Sequence, residues 1–137
     1  MKRDWDLIRK QLIDVEEEKE LFTELPQEPI WGDQNEDTYI AQLKEYKALE
    51  SRICGHFELL INNGYIEGLR VKRSADGSFC YSLHSPRLTM AGHDLLDTMR
   101  SSKIWDKIKT TAKTKGIELT FDAIKALSAF VLKSVLE

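Results

Sequence analysis

Cys54-x-His56 and Cys80-x-x-x-His84, with His93 beyond them, are side chains of the kind that hold zinc. A structural zinc needs four such ligands, usually as two close pairs in tight loops. Cys54 and His56 stand two apart on an expected helix and so point to different sides, while Cys80 and His84 fall on or beside a strand. Buried cysteine and packed histidine account for them better than a metal. His93, Asp94 and Asp97 form an acid–base trio on one helix, but no second set of polar groups converges on it, which leaves a solvated helix face. No Gly-x-Ser-x-Gly, Walker loop or His-Glu-x-x-His occurs. The sequence therefore predicts no catalytic residues, no metal and no cofactor. The protein is expected to act by binding and not to be an enzyme.

The remaining chemistry is charge. A net charge of −3 over 137 residues hides an asymmetry: residues 1–60 carry eight Lys/Arg against fifteen Asp/Glu, residues 61–137 twelve against eight. Most of the basic excess lies in Gly68–Lys115, with ten basic and four acidic residues. Such a region is either a footprint for an anionic partner or a solvated face. On a DNA-binding reading, Arg70, Lys72 and Arg73 on the wing, Arg87 after it, and Ser51 and Arg52 on a helix would meet phosphates and base edges. Glu50 and Glu58 on that same helix oppose the reading, because they repel the DNA backbone. The competing reading is a protein-interaction module that uses the acidic first half, the loop residue Trp31 and the apolar last helix. The residues leave DNA and protein both open as partner.

These groups sit in a chain the size of one ordinary domain, with 42% hydrophobic and 31% charged residues, the balance of a soluble globular protein. The opening Met1-Lys2-Arg3-Asp4-Trp5-Asp6 has no apolar signal core. The most apolar stretch, Phe121–Leu136, is interrupted by Asp122, Lys125 and Lys133, too often for a membrane span. Two cysteines make no disulfide framework, which agrees with a reducing compartment. A cytoplasmic location without membrane contact is expected.

The elements follow from periodicity and caps. Asp4 caps a first helix with Trp5, Ile8, Leu12 and Val15 on one stripe. Leu21–Leu25 reads as a short strand stopped by Pro26 and Pro29. A second helix is expected over Glu36–Glu45 with Ile40 and Leu43 inward. A third is expected over about Leu49–Asn63 with Leu49, Ile53, Phe57 and Leu60 inward, stopped by Asn62-Asn63-Gly64. Leu69–Arg73 and Phe79–Leu83 flank Ser74-Ala75-Asp76-Gly77-Ser78, a hairpin signal, and Pro86 is expected to end the sheet. Thr89 caps a helix burying Leu95, Leu96 and Met99. Ser102–Lys115 buries Ile104, Trp105, Ile108 and Ala112, with Lys103, Lys107, Lys109 and Lys113 away from that face. Thr120 caps the last helix, with Leu119 and Ile124 as a hydrophobic staple.

The predicted class is α+β, mostly helical, and the order helix, strand, helix, helix, hairpin is that of a winged helix-turn-helix whose wing is the hairpin. Residues 1–100 would form the winged-helix domain. Residues 101–137 would form a C-terminal helical extension that packs on it. The last helix is apolar nearly all round, so it is expected to cover its own domain and a second subunit, making a homodimer through Phe121, Ile124, Phe130 and Val131.

Met1–Arg9, the His56…Leu60-x-x-x-Gly64-x-Ile66 segment and Leu88-Thr89-x-x-Gly92-His93-Asp94-x-Leu96-Asp97 resemble a bacterial and prophage family, domain of unknown function 2513. Trp105-x-Lys107 and the Leu119…Ile124-Lys125 helix start fit it as well. The resemblance implies a small winged-helix-like protein, often phage-encoded, and transfers no catalytic residue. The acidic insert around Gln34–Lys47 is longer than the family's usual pattern.

Overall fold

The computed structural model describes residues 1–32 and 34–136. Helix α1 (Trp5–Glu16) starts where expected, with the Asp4 carboxylate accepting the N–H groups of Asp6 and Leu7. Its stripe of Ile8, Leu12 and Val15 is buried. It ends through Glu18, which takes a left-handed φ of 57° so that the Lys19 N–H can reach the Asp14 carbonyl at 2.9 Å.

The expected strand at Leu21–Leu25 is a turn instead, closed by Leu25 N–H to the Phe22 carbonyl at 3.1 Å. Five residues before a proline find no strand edge to pair with, and their apolar side chains plug the body. The Phe22 ring stacks on Tyr81 at 3.7 Å and tilts against Phe57 at 5.2 Å.

The largest correction concerns the two middle helices. Glu36–Asn62 is one continuous helix of 27 residues, α2, capped by the Asn35 side chain on the Thr38 N–H. No glycine or proline stands between Glu36 and Cys54, so nothing breaks the hydrogen-bond ladder where a turn was expected. The two halves differ sharply. Residues 36–49 include no buried residue, whereas Glu50, Ile53, Cys54, Gly55, His56, Phe57 and Leu60 are all buried. Ile40, expected to face inward, is 53% exposed. The break at Gly64 is as predicted: it lies at φ 77°, and the Tyr65 N–H reaches back to the Leu60 carbonyl.

Strands β1 (Ile66–Arg73) and β2 (Phe79–Leu88) pair antiparallel across the predicted turn, with Arg70 opposite Ser82 and Lys72 opposite Cys80. Pro86 does not end the sheet. The register slips between Glu67 and Leu69, and His84–Pro86 bulge out opposite Gly68 before pairing resumes at Arg87. A Cβ on Gly68 would lie 2.5 Å from the carbonyl oxygens of His84 and Ser85, so the bulge needs glycine there.

Helices α3 (Met90–Met99), α4 (Ser102–Lys115) and α5 (Phe121–Leu136) complete the chain. Thr89 caps α3 through the Gly92 N–H, Gly116 ends α4 at φ 67°, and the Thr120 hydroxyl accepts the Ala123 N–H at the start of α5. Helix α4 packs on α5 and both pack on α3, while α2 packs on α1 and the hairpin. One core runs through these elements, with Leu12, Leu60, Leu96, Met99, Trp105, Ile108 and Ile124 at its centre. Five helices and one two-stranded hairpin among the described residues make the chain α+β and mostly helical. The element order is α1, α2, hairpin, so the turn expected between a second and a third helix is absent from the described residues. None of their helices is long and apolar enough to cross a membrane.

Candidate functional site

The short sequence segments that stand out most turn out to be joints of the scaffold. The Asp4 N–H donates to His56 Nε2 at 2.8 Å, and His56 Nδ1 lies 2.7 Å from the Arg52 carbonyl. The two partners assign a neutral ring protonated on Nδ1. His56 is fully buried, so this bond ties the start of α1 to the middle of α2. Trp5 Nε1 donates to the Leu119 carbonyl at 2.8 Å, and Trp105 Nε1 donates to Asp6 Oδ1 at 2.8 Å, fixing the C-terminal helices to the same end of α1. The Thr89 hydroxyl donates to the Gly64 carbonyl, the Thr89 N–H donates to the Tyr65 carbonyl, and a Cβ on Gly92 would sit 2.1 Å from that Tyr65 oxygen. The glycine lets α3 press directly on the exit from α2.

The metal and acid–base candidates are not brought together. Cys54 and His56 are buried, while Cys80, His84 and His93 are exposed, and no group of three His, Cys, Asp or Glu converges among the described residues. Cys80 is thus not a buried cysteine. Burial, with the Glu50 and Glu58 carboxylates nearby, pushes the Cys54 thiol up to about 12. It is an inert packing residue. His93 lies 3.5 Å from Glu16, and Asp97 pairs with Arg100.

The six residues proposed for DNA do not form one cationic face. Arg52 is paired with Asp4 and holds its carboxyl below the usual range. Arg73 makes a two-oxygen contact with Glu58, at 3.1 and 2.9 Å, and also lies over the Phe79 ring. Arg87 lies 3.3 Å from Glu67. Ser51 is half-buried on α2. Only Arg70 and Lys72 among these cations have no ion-pair partner among the described residues. They share the outer face of the hairpin with Cys80 and Ser82.

The four residues proposed for a dimer contact also divide. Ile124 and Val131 are 0% and 3% exposed and belong to the chain's own core. Phe121 is half-buried against Tyr65 at 5.9 Å. Phe130 alone faces outward, 54% exposed, with the Lys115 ammonium 4.7 Å from its ring centre. The last helix therefore buries one face rather than all of them. Lys109, expected to point away from the buried side of α4, bonds Asp6 at 2.9 Å and depresses that carboxyl.

The surface that sequence reasoning missed is the first half of α2 with the loop that precedes it. Ile30, Trp31 and Ile40 are 74%, 57% and 53% exposed, and Trp31 meets the Tyr39 ring edge-on at 5.2 Å. Trp31 stands out in the sequence as a loop aromatic, whereas the spacing of Ile40 with Leu43 is that of a buried stripe. Tyr46 and Glu50 close the base of this arm, the phenol donating to Glu50 at 3.0 Å. Burial raises that phenol to about 12. Fourteen residues of helix, about 20 Å at 1.5 Å per residue, thus hold no buried side chain, and Leu49 at their base packs on the core.

The fold and this surface define an α+β scaffold with a projecting, partly apolar helical arm. The chain belongs to the family described as "Hypothetical protein (DUF2513)", whose model matches residues 2–118. It is also similar to an "Uncharacterized protein" of Haemophilus influenzae (strain Rd), 32% identical over 136 residues that cover 99% of each chain. No solved structure matches it.

Proposed function

We propose that the protein works by binding another protein through the arm, without catalysis. The observation that carries this reading is the exposure of Ile30 and Trp31 in the loop before α2 and of Ile40 on its first half, where residues 36–49 include no buried residue. Apolar side chains gathered on a projecting element mark a contact surface, where singly scattered ones would not. Aromatic anchors such as Trp31 and Tyr39 supply most of the energy of protein contacts. The pairing of Arg52, Arg73 and Arg87 with carboxylates supports the same choice, since an anionic partner would have to displace those carboxylates.

A DNA-binding regulator of phage type is the second reading, favoured by the two unpaired cations Arg70 and Lys72 on the hairpin's outer face. The two separate by photocrosslinking in cells, with a benzophenone amino acid at position 31 in one variant and at position 72 in another. Protein adducts at 31 and not at 72, with no salt-sensitive binding of duplex DNA by the purified protein, are expected. DNA affinity that falls steeply with salt and is lost in Arg70→Ala/Lys72→Ala, without adducts at 31, would overturn the proposal.

A further inference from the structure

Resting on that reading of the arm, we infer that its partner is a second copy of this chain, the arm of each copy lying on the α4–α5 face of the other. Charge complementarity carries the choice. Residues 26–49, the loop and the arm, hold five acidic residues against two lysines. Residues 102–133, which form the α4–α5 face, hold seven lysines against three acidic residues. The opposing charges are largely free. Glu28, Glu36 and Asp37 on the arm, and Lys103, Lys107, Lys113, Lys125 and Lys133 on the face, are in no ion pair among the described residues.

The apolar groups complement each other as well. Beside the exposed Phe130, a groove of about 330 Å³ runs between Asp106, Lys107, Thr110 and Thr111 on α4 and Val131 and Ser134 on α5. That is the size of a small ligand pocket and takes an aromatic side chain. Leu132 adds a second bare apolar group, 42% exposed. Trp31 and its neighbours Ile30 and Ile40 supply the matching apolar end. Lys107 in the groove and Lys115 over Phe130 also suit an indole, because ammonium groups favour the face of Trp. A twofold axis makes the contact twice, so each copy gives one arm and receives one.

Sedimentation velocity with single variants and their mixture tests this. The wild-type chain is expected to dimerise and to dissociate in high salt, as opposed charges require. Trp31→Ala and Phe130→Ala, both at exposed positions, are each expected to weaken self-association by roughly tenfold or more while leaving in place the urea unfolding curve of chains diluted to monomers. At a concentration where each variant alone is monomeric, an equimolar mixture is expected to form a heterodimer, because Trp31 of the Phe130→Ala chain still meets Phe130 of the Trp31→Ala chain. A monomeric wild type would overturn the inference, and so would a mixture that stays monomeric, since a Phe130-to-Phe130 contact cannot be rescued that way. Adducts at position 31 to a different protein, with a monomeric chain, would sink this inference and leave the proposed function standing. No adducts at all would sink both.

Discussion

The two halves of α2 use the same backbone for opposite ends. Between Glu50 and Asn62 the helix carries the centre of the molecule: Ile53, Phe57 and Leu60 are buried, His56 is bonded on both ring nitrogens, and Gln11 on α1 donates to the Ile53 carbonyl at 3.0 Å. Between Glu36 and Leu49 the same helix has no fully buried residue. A helix so short is marginal by itself in water, and its order there comes from continuity with the buried half. The difference teaches where selection for binding can act without cost to folding. Side chains on the arm can change while the body stays folded, whereas the joints of the body tolerate almost no change.

Substitutions that separate joint from arm follow in order of size. Gly92→Ala sets a Cβ against the Tyr65 carbonyl and forces α3 off the end of α2, so it should cost about 3 kcal/mol in urea unfolding. A stability within about 0.5 kcal/mol of wild type would show that the joint is loose. His56→Ala strands the Asp4 N–H and leaves a cavity, for a loss of about 2 kcal/mol, read from the same experiment.

Acid should weaken the body next. Arg52 depresses Asp4, Lys109 depresses Asp6 and Arg100 depresses Glu16, each mainly by hydrogen bonding. A depressed carboxylate binds fewer protons folded than unfolded, so its stabilisation is full above the ordinary values of 3.8 for Asp and 4.5 for Glu. It is lost as pH falls through the lower folded values. The urea midpoint should drop below about pH 4, and Asp4→Asn should flatten that drop. Least of all, Trp31→Ala with Ile40→Ala should shift stability by no more than about 0.5 kcal/mol. A larger loss would mean that the arm packs on the body.

The caps and stops were plain in the sequence, because they depend on near neighbours. Asp4, Thr89, Thr120, Gly64, Gly116 and the Asp76-Gly77 turn act within a few residues of themselves. The long helix was missed although nothing in Glu36–Cys54 breaks a helix, since the order of elements suggested a turn that no residue there demands. Ile40 and Leu43 have the spacing of a core stripe, and spacing cannot tell whether anything lies opposite. The same limit applies to α5, where Ile124 and Phe130 are equally apolar but face the core and the surface respectively. Arg52 and Arg73 looked like free cations because their partners, Asp4 and Glu58, are 48 and 15 residues away in the chain. The α+β class was legible; the arm required knowing what the body leaves uncovered.

The most direct measurement is amide hydrogen exchange along α2 in dilute and in concentrated protein. The amides of residues 40–49 should exchange far faster than those of 54–62 when dilute, and become protected as concentration brings a second copy onto the arm. Equal protection of both halves in dilute solution would show that the arm is held by its own body, and the account would be wrong.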